Sequence, residues 1–504
     1  MPRPRDSKAG SLGRSATLTR GAAGAEWSRG DLLVVPVLLG AIALRIVSAG
    51  YSLWFDEIAA VTLAHQPLDH LWSGWMAREA NPPLYYTLLK GWMALFGSGD
   101  LAVQLLSVAI GTAGIGAAWW AARRLGGTGA GLIAALLLAI SPAHLDFSQE
   151  VRSYILAQTA ALFACAAIIL YLERPRLAPL AGYALAAGVA LYAHTTMALF
   201  VGLSNFALFW LLRRDRPALL RWILANALVA MLWSWWAWIS LGQAAGGDTA
   251  FGWITRPDLP AALTMTATVY LPFYVASERI VFAPLLALAW LGGLGWFAAR
   301  DRRPAVVLLA ALTLAAPLLL WAVSQRLPIF LPRTLFWAAG PATVLLAVAL
   351  AAVPSRPMRG ALVALLVALQ IGALLRWLPE RETEAWPQTL ATIARIDPHA
   401  AVIVEGDAMG VAAEHYRQAQ APGLRIFIVQ RPAGAVDRWA EGLVAAPHLD
   451  AGSARALLAR EGRLFTLARG DYDPAWLFAG IGVAQPLPES ARNRQPHLAS
   501  WRVR

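Results

Sequence analysis

The sequence has few charged residues. Asp, Glu, Lys and Arg make up 14% of its 504 residues, whereas 58% are hydrophobic and the mean hydropathy is +0.53. A typical soluble domain is about 25% charged. This composition excludes an ordinary soluble enzyme of this length, and it excludes intrinsic disorder, which requires low hydrophobicity. We therefore expect one large membrane domain and a smaller additional region.

Cysteine and lysine are nearly absent. The single cysteine, Cys165, lies inside an apolar run, which excludes a disulfide framework and a cysteine-based zinc site. Only Lys8 and Lys90 are lysines, so arginine carries most of the net charge of +12. Such a charge can indicate nucleic-acid binding, but here its distribution along the chain indicates the orientation of membrane spans instead.

Apolar runs long enough to cross a bilayer, which takes about 20 residues, recur as far as residue 377 and then stop. We expect a polytopic α-helical membrane domain over 31–377 with about eleven transmembrane helices. The region 177–212 is either two spans or one kinked region. The predicted spans are 31–49, 101–121, 128–142, 152–172, 177–193, 196–212, 218–241, 281–299, 304–323, 332–353 and 358–377.

The charges between these spans are unevenly distributed. With the N-terminus inside, the inner segments, together with Asp31 and Glu173 beside them, hold 19 Lys/Arg and 6 Asp/Glu; the other residues before 378 hold 9 and 10. Short basic inner loops are what the positive-inside rule requires. Residues 1–30 are then a cytoplasmic basic tail, and an odd span count places the C-terminus outside. The alternative for the first run is a signal peptide, because Val47-Ser48-Ala49 resembles a cleavage site; the run is long for that, which favours an uncleaved span.

Residues 378–504 differ from the rest, with 14 Lys/Arg and 14 Asp/Glu. Their patterns predict a small extracytoplasmic α/β domain. It shows neither metal-ligand spacing nor a glycine-rich phosphate loop. The predicted strands are Ala401–Glu405, Leu424–Gln430, Leu464–Ala468 and Ser500–Val503, and the predicted helices are 386–396, 408–419 and 453–460.

Two predicted outer loops, 50–100 and 242–280, are too long to be simple connections. The first contains Trp54-Phe55-Asp56-Glu57, in which apolar neighbours at the membrane surface favour a raised carboxylate pKa and general-base chemistry. The alternative is that Asp56 only caps a helix over 57–65 while Glu57 is solvated. The same loop contains Asn81-Pro82-Pro83-Leu84-Tyr85-Tyr86, where an amphipathic stretch of the kind found at membrane interfaces begins. Tyr85 is a site candidate in that stretch.

A second polar group follows the third span, from His144 to Tyr154. Asp146 and Glu150 are spaced i, i+4, which puts both on one face of a helix. Arg152 and Tyr154 lie near headgroup depth, where a guanidinium suits a lipid phosphate. The alternative is an ordinary interfacial loop with mutually compensating charges.

Three further candidates fall on the same predicted side of the membrane: His194, Glu278 and Arg333. A lone histidine is more often structural than functional, and Arg333 beside Pro332 can simply extend its charge to the interface. Their common side with Asp56 and Glu57 nevertheless favours an active site on the outer face.

Three motifs together resemble the bacterial glycosyltransferase family 39, which groups with the protein O-mannosyltransferases and the lipid A aminoarabinose transferases. They are Trp54-Phe55-Asp56-Glu57, Asn81-Pro82-Pro83-Leu84-Tyr85-Tyr86 and Ser148-Gln149-Glu150-Val151-Arg152-Ser153-Tyr154. The resemblance covers roughly residues 30–380. It departs from the family pattern at Val151 and Ser153, and at Thr334 after Arg333, where the family usually has Tyr.

The resemblance implies a GT-C fold and a donor sugar carried on a polyprenyl phosphate at the outer face of the bacterial inner membrane. It also implies that Asp56 is the catalytic acidic residue, and we expect Glu57 to share the catalytic role with it. We expect Arg152, Arg333 and Tyr154 to bind the donor phosphate. The expected reaction is a single inverting displacement onto an extracytoplasmic lipid, glycan or protein, with no cofactor required and a divalent metal possible. The rival hypotheses are a polytopic transporter or flippase of lipid-linked sugars and a non-enzymatic assembly subunit. We expect the C-terminal domain to govern acceptor choice more than chemistry.

Overall fold

The computed structural model describes residues 28–245, 254–271, 281–381, 384–430, 438–470, 473–478, 480–485 and 496–503. Glu278 and part of the predicted 242–280 loop lie outside these residues. Helices dominate the described chain up to residue 380. They are α1 (Val34–Val47), α2 (Phe55–Ala64), α3 (Leu68–Leu71), α4 (Leu84–Phe96), α5 (Asp100–Ala139), α6 (Pro142–Phe147), α7 (Tyr154–Glu173), α8 (Leu177–Ala193), α9 (Met197–Leu212), α10 (Arg216–Ala245), α11 (Leu259–Tyr270), α12 (Ala283–Asp301), α13 (Pro304–Ser324), α14 (Pro332–Leu335), α15 (Ala339–Ala351) and α16 (Arg356–Glu380).

Helix α5 is two helices joined by a sharp reversal. Gly127 has a φ of 79°, a conformation that favours glycine. Gly131 lies so close to Trp119 that a methyl group there would meet the Trp119 carbonyl oxygen at 2.9 Å. Twelve residues of straight helix span about 18 Å, so the chain must fold back near Gly127. The predicted spans 101–121 and 128–142 are the two arms of this hairpin.

Eight of the described helices are long and apolar enough to cross a membrane, by length and composition. Shorter apolar helices α8 and α9 occupy the region 177–212, as two helices rather than one. Counting both arms of α5, every predicted span corresponds to a helix. The number of actual crossings stays a prediction. The eight are Arg29–Val47, Asp100–Ala139, Tyr154–Glu173, Arg216–Ala245, Ala283–Asp301, Pro304–Ser324, Pro332–Ala351 and Arg356–Pro379.

The C-terminal region folds around a six-stranded sheet in the order β3-β2-β1-β4-β6-β5. Strands β1 to β4 are parallel, and β6 is antiparallel to β4 and β5. The elements are α17 (Trp386–Ile396), β1 (Ala401–Glu405), α18 (Asp407–Gln420), β2 (Arg425–Val429), β3 (His448–Leu449), α19 (Ala451–Glu461), β4 (Arg463–Ala468), β5 (Gly482–Gln485) and β6 (His497–Val503).

Strand β1 is buried on both faces, as a central parallel strand should be. Its alternating side chains serve two cores. Ala401 and Ile403 pack with the α19 side, while Val402 and Val404 face α17 and α18. The core on the α17–α18 side, which contains Val402 and Val404, is continuous with the core of the helical domain. The C-terminal domain is thus packed against the helical domain through the α17–α18 face of its sheet, and α18 contacts α2.

Candidate active site

The first motif forms the beginning of helix α2. Glu57 is fully buried, and its Oε2 accepts a hydrogen bond of 3.0 Å from the backbone N–H of Trp54, the N-cap residue. Glu57 therefore satisfies the N-terminal donor that a helix leaves free. The alternative in which Asp56 caps the helix and Glu57 is solvated is wrong, because the two carboxylates have the opposite environments.

Glu57 also connects the first motif to the third. Its Oε1 accepts a hydrogen bond of 2.8 Å from the backbone N–H of Val151, across 94 residues of sequence. Burial raises the pKa of Glu57 to about 8, although the two N–H donors act in the opposite direction. This carboxyl group holds the two segments in register and stays protonated over much of the neutral range.

Asp56 is more accessible than Glu57, with 26% of its side chain exposed. Its Oδ2 lies 3.1 Å from Nη1 of Arg333, at the start of α14. Its backbone carbonyl accepts a hydrogen bond of 3.2 Å from Nη1 of Arg152. Residues 277 and 96 positions away in sequence thus meet at Asp56, which brings together Asp56, Arg152 and Arg333, three charged residues that the sequence analysis singled out.

The ring of Tyr154 adjoins both arginines. The guanidinium carbons of Arg152 and Arg333 each lie 5.9 Å from the ring centroid, within cation–π distance. Arg152 is buried, whereas 23% of the Arg333 side chain is exposed. Two cations beside one partly exposed carboxylate are an arrangement that can attract an anion and that has a potential base in reach.

Glu79 is a site residue that the sequence analysis missed. Its Oε1 lies 3.8 Å from Nη2 of Arg152 and accepts hydrogen bonds from Asn81 Nδ2 at 2.9 Å and Tyr86 OH at 3.1 Å. The motif beginning at Asn81 therefore orients the buried acid that balances Arg152. The sequence feature that could have indicated Glu79 is its position two residues before the motif that begins at Asn81.

Tyr85 points away from this ion-pair cluster. Its hydroxyl lies 2.7 Å from Ser107 Oγ, and Ser107 Oγ donates to the backbone carbonyl of Glu150. The residue is buried, and burial raises the pKa of its hydroxyl above the ordinary value. Through Ser107, Tyr85 thus supports the backbone of the third motif at Glu150.

Asp146 and Glu150 are not on one regular helix, because α6 ends at Phe147 and only a single turn continues to Glu150. Asp146 Oδ1 lies 3.0 Å from Nη2 of Arg381, the residue that follows α16. Burial raises the pKa of Glu150 well above its ordinary value, and the nearby acids Asp146 and Glu57 raise it further. One Glu150 oxygen is buried without a hydrogen-bond partner.

His194 follows α8 and faces Tyr154, with ring centroids 5.4 Å apart. Its Nδ1 accepts a hydrogen bond from the backbone N–H of Thr196 and lies 2.8 Å from that residue's hydroxyl oxygen. Burial and the charges of Arg152 and Arg333 lower the pKa of His194 to about 3, so the ring is neutral. Among the described residues, no group of three His, Cys, Asp or Glu side chains could hold a metal ion.

Part of the chain matches the sequence model of a known protein family. Residues 80–238 match the sequence model of the family described as dolichyl-phosphate-mannose-protein mannosyltransferase. That range contains the second and third motifs, but neither Asp56 nor Arg333. No sequence among the curated proteins matches the chain.

Solved structures match over far more of the chain. The apo crystal structure of ArnT from Cupriavidus metallidurans has a TM-score of 0.62 at 15% identity, covering 94% of this chain and 98% of that one. ArnT bound to undecaprenyl phosphate gives 0.61 at 13%, covering 93% and 97%. The apo oligosaccharyltransferase of Archaeoglobus fulgidus gives 0.52 at 13%, covering 81% and 65%.

This chain has a GT-C fold. The resemblance that the motifs predicted is confirmed, as is the prediction of a polytopic helical domain followed by a small α/β domain. The GT-C likeness to ArnT also extends beyond the range of the motifs, because 94% coverage must include most of residues 378–504. The C-terminal sheet is therefore part of the shared architecture.

Proposed function

We propose that the protein is an integral-membrane glycosyltransferase that moves a sugar from a polyprenyl phosphate to an extracytoplasmic acceptor. The observation that carries this proposal is the convergence of Asp56, Arg152 and Arg333 from three separate segments. A transferase of this kind needs a base for the acceptor hydroxyl and cations for the departing phosphate. The site supplies both.

Arg152 and Arg333 bind the donor phosphate in this proposal. Phosphate becomes more negative as the bond to C1 of the sugar breaks, and positioned cations in a partly buried site stabilise that charge. Tyr154 keeps both guanidinium groups at a fixed distance. Support also comes from the matched ArnT structure, which is described as bound to undecaprenyl phosphate.

Asp56 acts as the general base. Without donor, Arg333 pairs with its carboxylate at 3.1 Å. A donor phosphate competes for Arg333 and frees one Asp56 oxygen to accept the proton of the acceptor hydroxyl. The acceptor oxygen, having lost its proton to Asp56, then attacks C1; the bond from C1 to the phosphate oxygen breaks, polyprenyl phosphate leaves, and the configuration at C1 inverts. Binding of donor thus activates the base in the same step.

The buried acids have supporting roles. Glu57 joins the Asp56 helix to the segment that carries Arg152, and Glu79 neutralises Arg152 from the opposite side. Neither needs to exchange a proton during the reaction. The transferred sugar is a hexose or a pentose, and the acceptor is a lipid, a glycan or a protein. The charge distribution favours transfer at the periplasmic face of the inner membrane.

The test uses purified protein in lipid nanodiscs with a panel of undecaprenyl-phosphate hexoses and pentoses. We expect release of undecaprenyl phosphate with at least one of them, and an inverted anomeric configuration in the released sugar or product by NMR. Retained configuration would contradict the single displacement. In a parallel assay with the protein in sealed vesicles, movement of intact lipid-linked sugar across the bilayer without any transfer would support a flippase instead.

A further inference from the structure

The chain segment immediately before Asp56 is held by the C-terminal domain. Glu384 Oε2 accepts a hydrogen bond of 3.0 Å from the backbone N–H of Phe55, and the Glu384 backbone carbonyl accepts one from the Ser52 hydroxyl. The hydroxyl of Tyr416, on α18, accepts a bond of 2.7 Å from the backbone N–H of Leu53. Three of the four residues from 52 to 55 thus bond to residues beyond 380.

Glu384 is itself fixed by the C-terminal domain. Its Oε2 accepts a bond of 2.6 Å from the indole N–H of Trp386, and its Oε1 pairs with Nε of Arg469 at 2.6 Å. Arg469 follows β4 and lies 4.5 Å from the centroid of the Phe55 ring. That ring is nearly perpendicular to the ring of Trp439, at a centroid distance of 6.0 Å.

Phe55, the first residue of α2, meets the C-terminal domain just beyond the end of strand β4. In open α/β sheets, ligands bind beyond the carboxyl ends of the parallel strands, where the strand order reverses. Here the order reverses between β1 and β4, and Arg469 stands just beyond the end of β4. Phe55 contacts Arg469 there. The ligand position of this sheet is therefore taken by the residue next to Asp56.

We propose that Glu384, together with Arg469 and Tyr416, is a positioning residue for the Asp56 base, so that the C-terminal domain is a structural part of the reaction centre. This inference rests on the proposed function of Asp56. A general base must be aligned with the attacking hydroxyl and C1, and Glu384 fixes the first turn of the helix that carries it. The contacts thus give the domain a role in chemistry, beyond the acceptor choice that the sequence suggested.

The first test compares two reactions in one variant. In Glu384→Gln, one acceptor oxygen is lost and the amide N–H₂ must face either the Phe55 N–H or Arg469. Misplacement by about 1 Å costs on the order of 100-fold. We expect transfer to acceptor and hydrolysis of the donor by water to fall by the same factor, about 10- to 100-fold, with undecaprenyl phosphate binding unchanged. A fall in transfer with normal hydrolysis would show acceptor recognition and overturn the proposal.

A matched control is Glu461→Gln, which removes a carboxylate paired with Arg425 in the same domain but away from α2. A second variant, Tyr416→Phe, is nearly isosteric and loses only the bonds to Leu53 and Asp100. It should lower both reactions in equal proportion, by less than Glu384→Gln does. It keeps the test decisive if Glu384→Gln does not fold.

Two measurements separate positioning from general stability. Hydrogen exchange of the peptide covering 53–58 should be faster in Glu384→Gln than in Glu461→Gln, independently of any activity. In an Asp56→Asn background, Glu384→Gln should cause little further loss, because residues that act as a unit are not additive. Unchanged exchange, or a full additional loss, would overturn the proposal. An inactive wild-type protein would instead refute the proposed function, while the exchange result would still stand.

Discussion

Replacement of Arg152 by lysine tests whether the buried guanidinium binds phosphate through its geometry or only through its charge. Among the described residues, Arg152 lies close to the Asp56 carbonyl at 3.2 Å, the Glu79 carboxylate at 3.8 Å and the Tyr154 ring at 5.9 Å. A guanidinium can keep one nitrogen on Asp56 and offer others to a phosphate. A single ammonium group cannot serve all of them.

The magnitude follows from the contacts that are lost. A hydrogen bond to a charged group contributes about 1.5–3 kcal/mol, so the loss of one should weaken undecaprenyl phosphate binding about 10- to 150-fold in Arg152→Lys. Turnover should fall as well, because the same contact strengthens as the phosphate departs. Binding is measured by competition in nanodiscs, and turnover with a polyprenyl-phosphate sugar.

The matched control is Arg124→Lys. Arg124 makes a two-pronged contact with Glu173 near the Gly127 reversal, on the side predicted to be cytoplasmic. The Arg124→Lys variant also replaces a guanidinium by an ammonium group, but at a residue that does not contact Asp56. Its undecaprenyl phosphate binding and its turnover should therefore match those of the wild type. Near-normal binding and turnover in Arg152→Lys would refute the phosphate role and leave Arg152 as a headgroup anchor.

Three further outcomes follow from the site and the charge distribution. Glu79→Gln should reduce turnover while strengthening undecaprenyl phosphate binding, because Arg152 loses its competing partner; weaker binding would contradict this. Glu57 has a pKa raised to about 8, above an ordinary value of 4.5, so ionisation should destabilise the folded protein as pH rises through that window. The wild-type Tm should therefore fall between pH 5 and 8 more steeply than that of Glu57→Gln, and equal slopes would refute the assignment. A reporter active only in the periplasm, fused after Arg504, should give signal, whereas a purely cytoplasmic signal would overturn the predicted orientation.

The sequence predicted the elements whose patterns are local. Strand β1 was predicted at Ala401–Glu405 as observed, because a central parallel strand is a continuous apolar run. Strand β3 was missed, because its two residues have no pattern and form a strand only beside β2. The hairpin in α5 was predicted as two spans because charge interrupts the apolar run near Arg123 and Arg124.

The sequence indicated a site residue wherever a charged residue stands in an apolar stretch without an evident structural purpose. Asp56, Arg152 and Arg333 were found in this way. Glu79 and Glu384 were not, because their significance depends on partners more than 70 residues away, Arg152 and Phe55. The alternative hypothesis of a solvated Glu57 was wrong for the same reason, since only the fold brings Val151 to it.

The most direct test of the central claim is Asp56→Asn, assayed for transfer from a polyprenyl-phosphate sugar and for undecaprenyl phosphate binding in the same preparation. Asn preserves the shape of the side chain, and Glu57 still caps α2. We expect turnover to fall about 10²- to 10⁴-fold, the usual contribution of a general base. Binding should be retained, since Arg333 is released from its carboxylate partner. Full turnover in Asp56→Asn would contradict the account and move the base elsewhere.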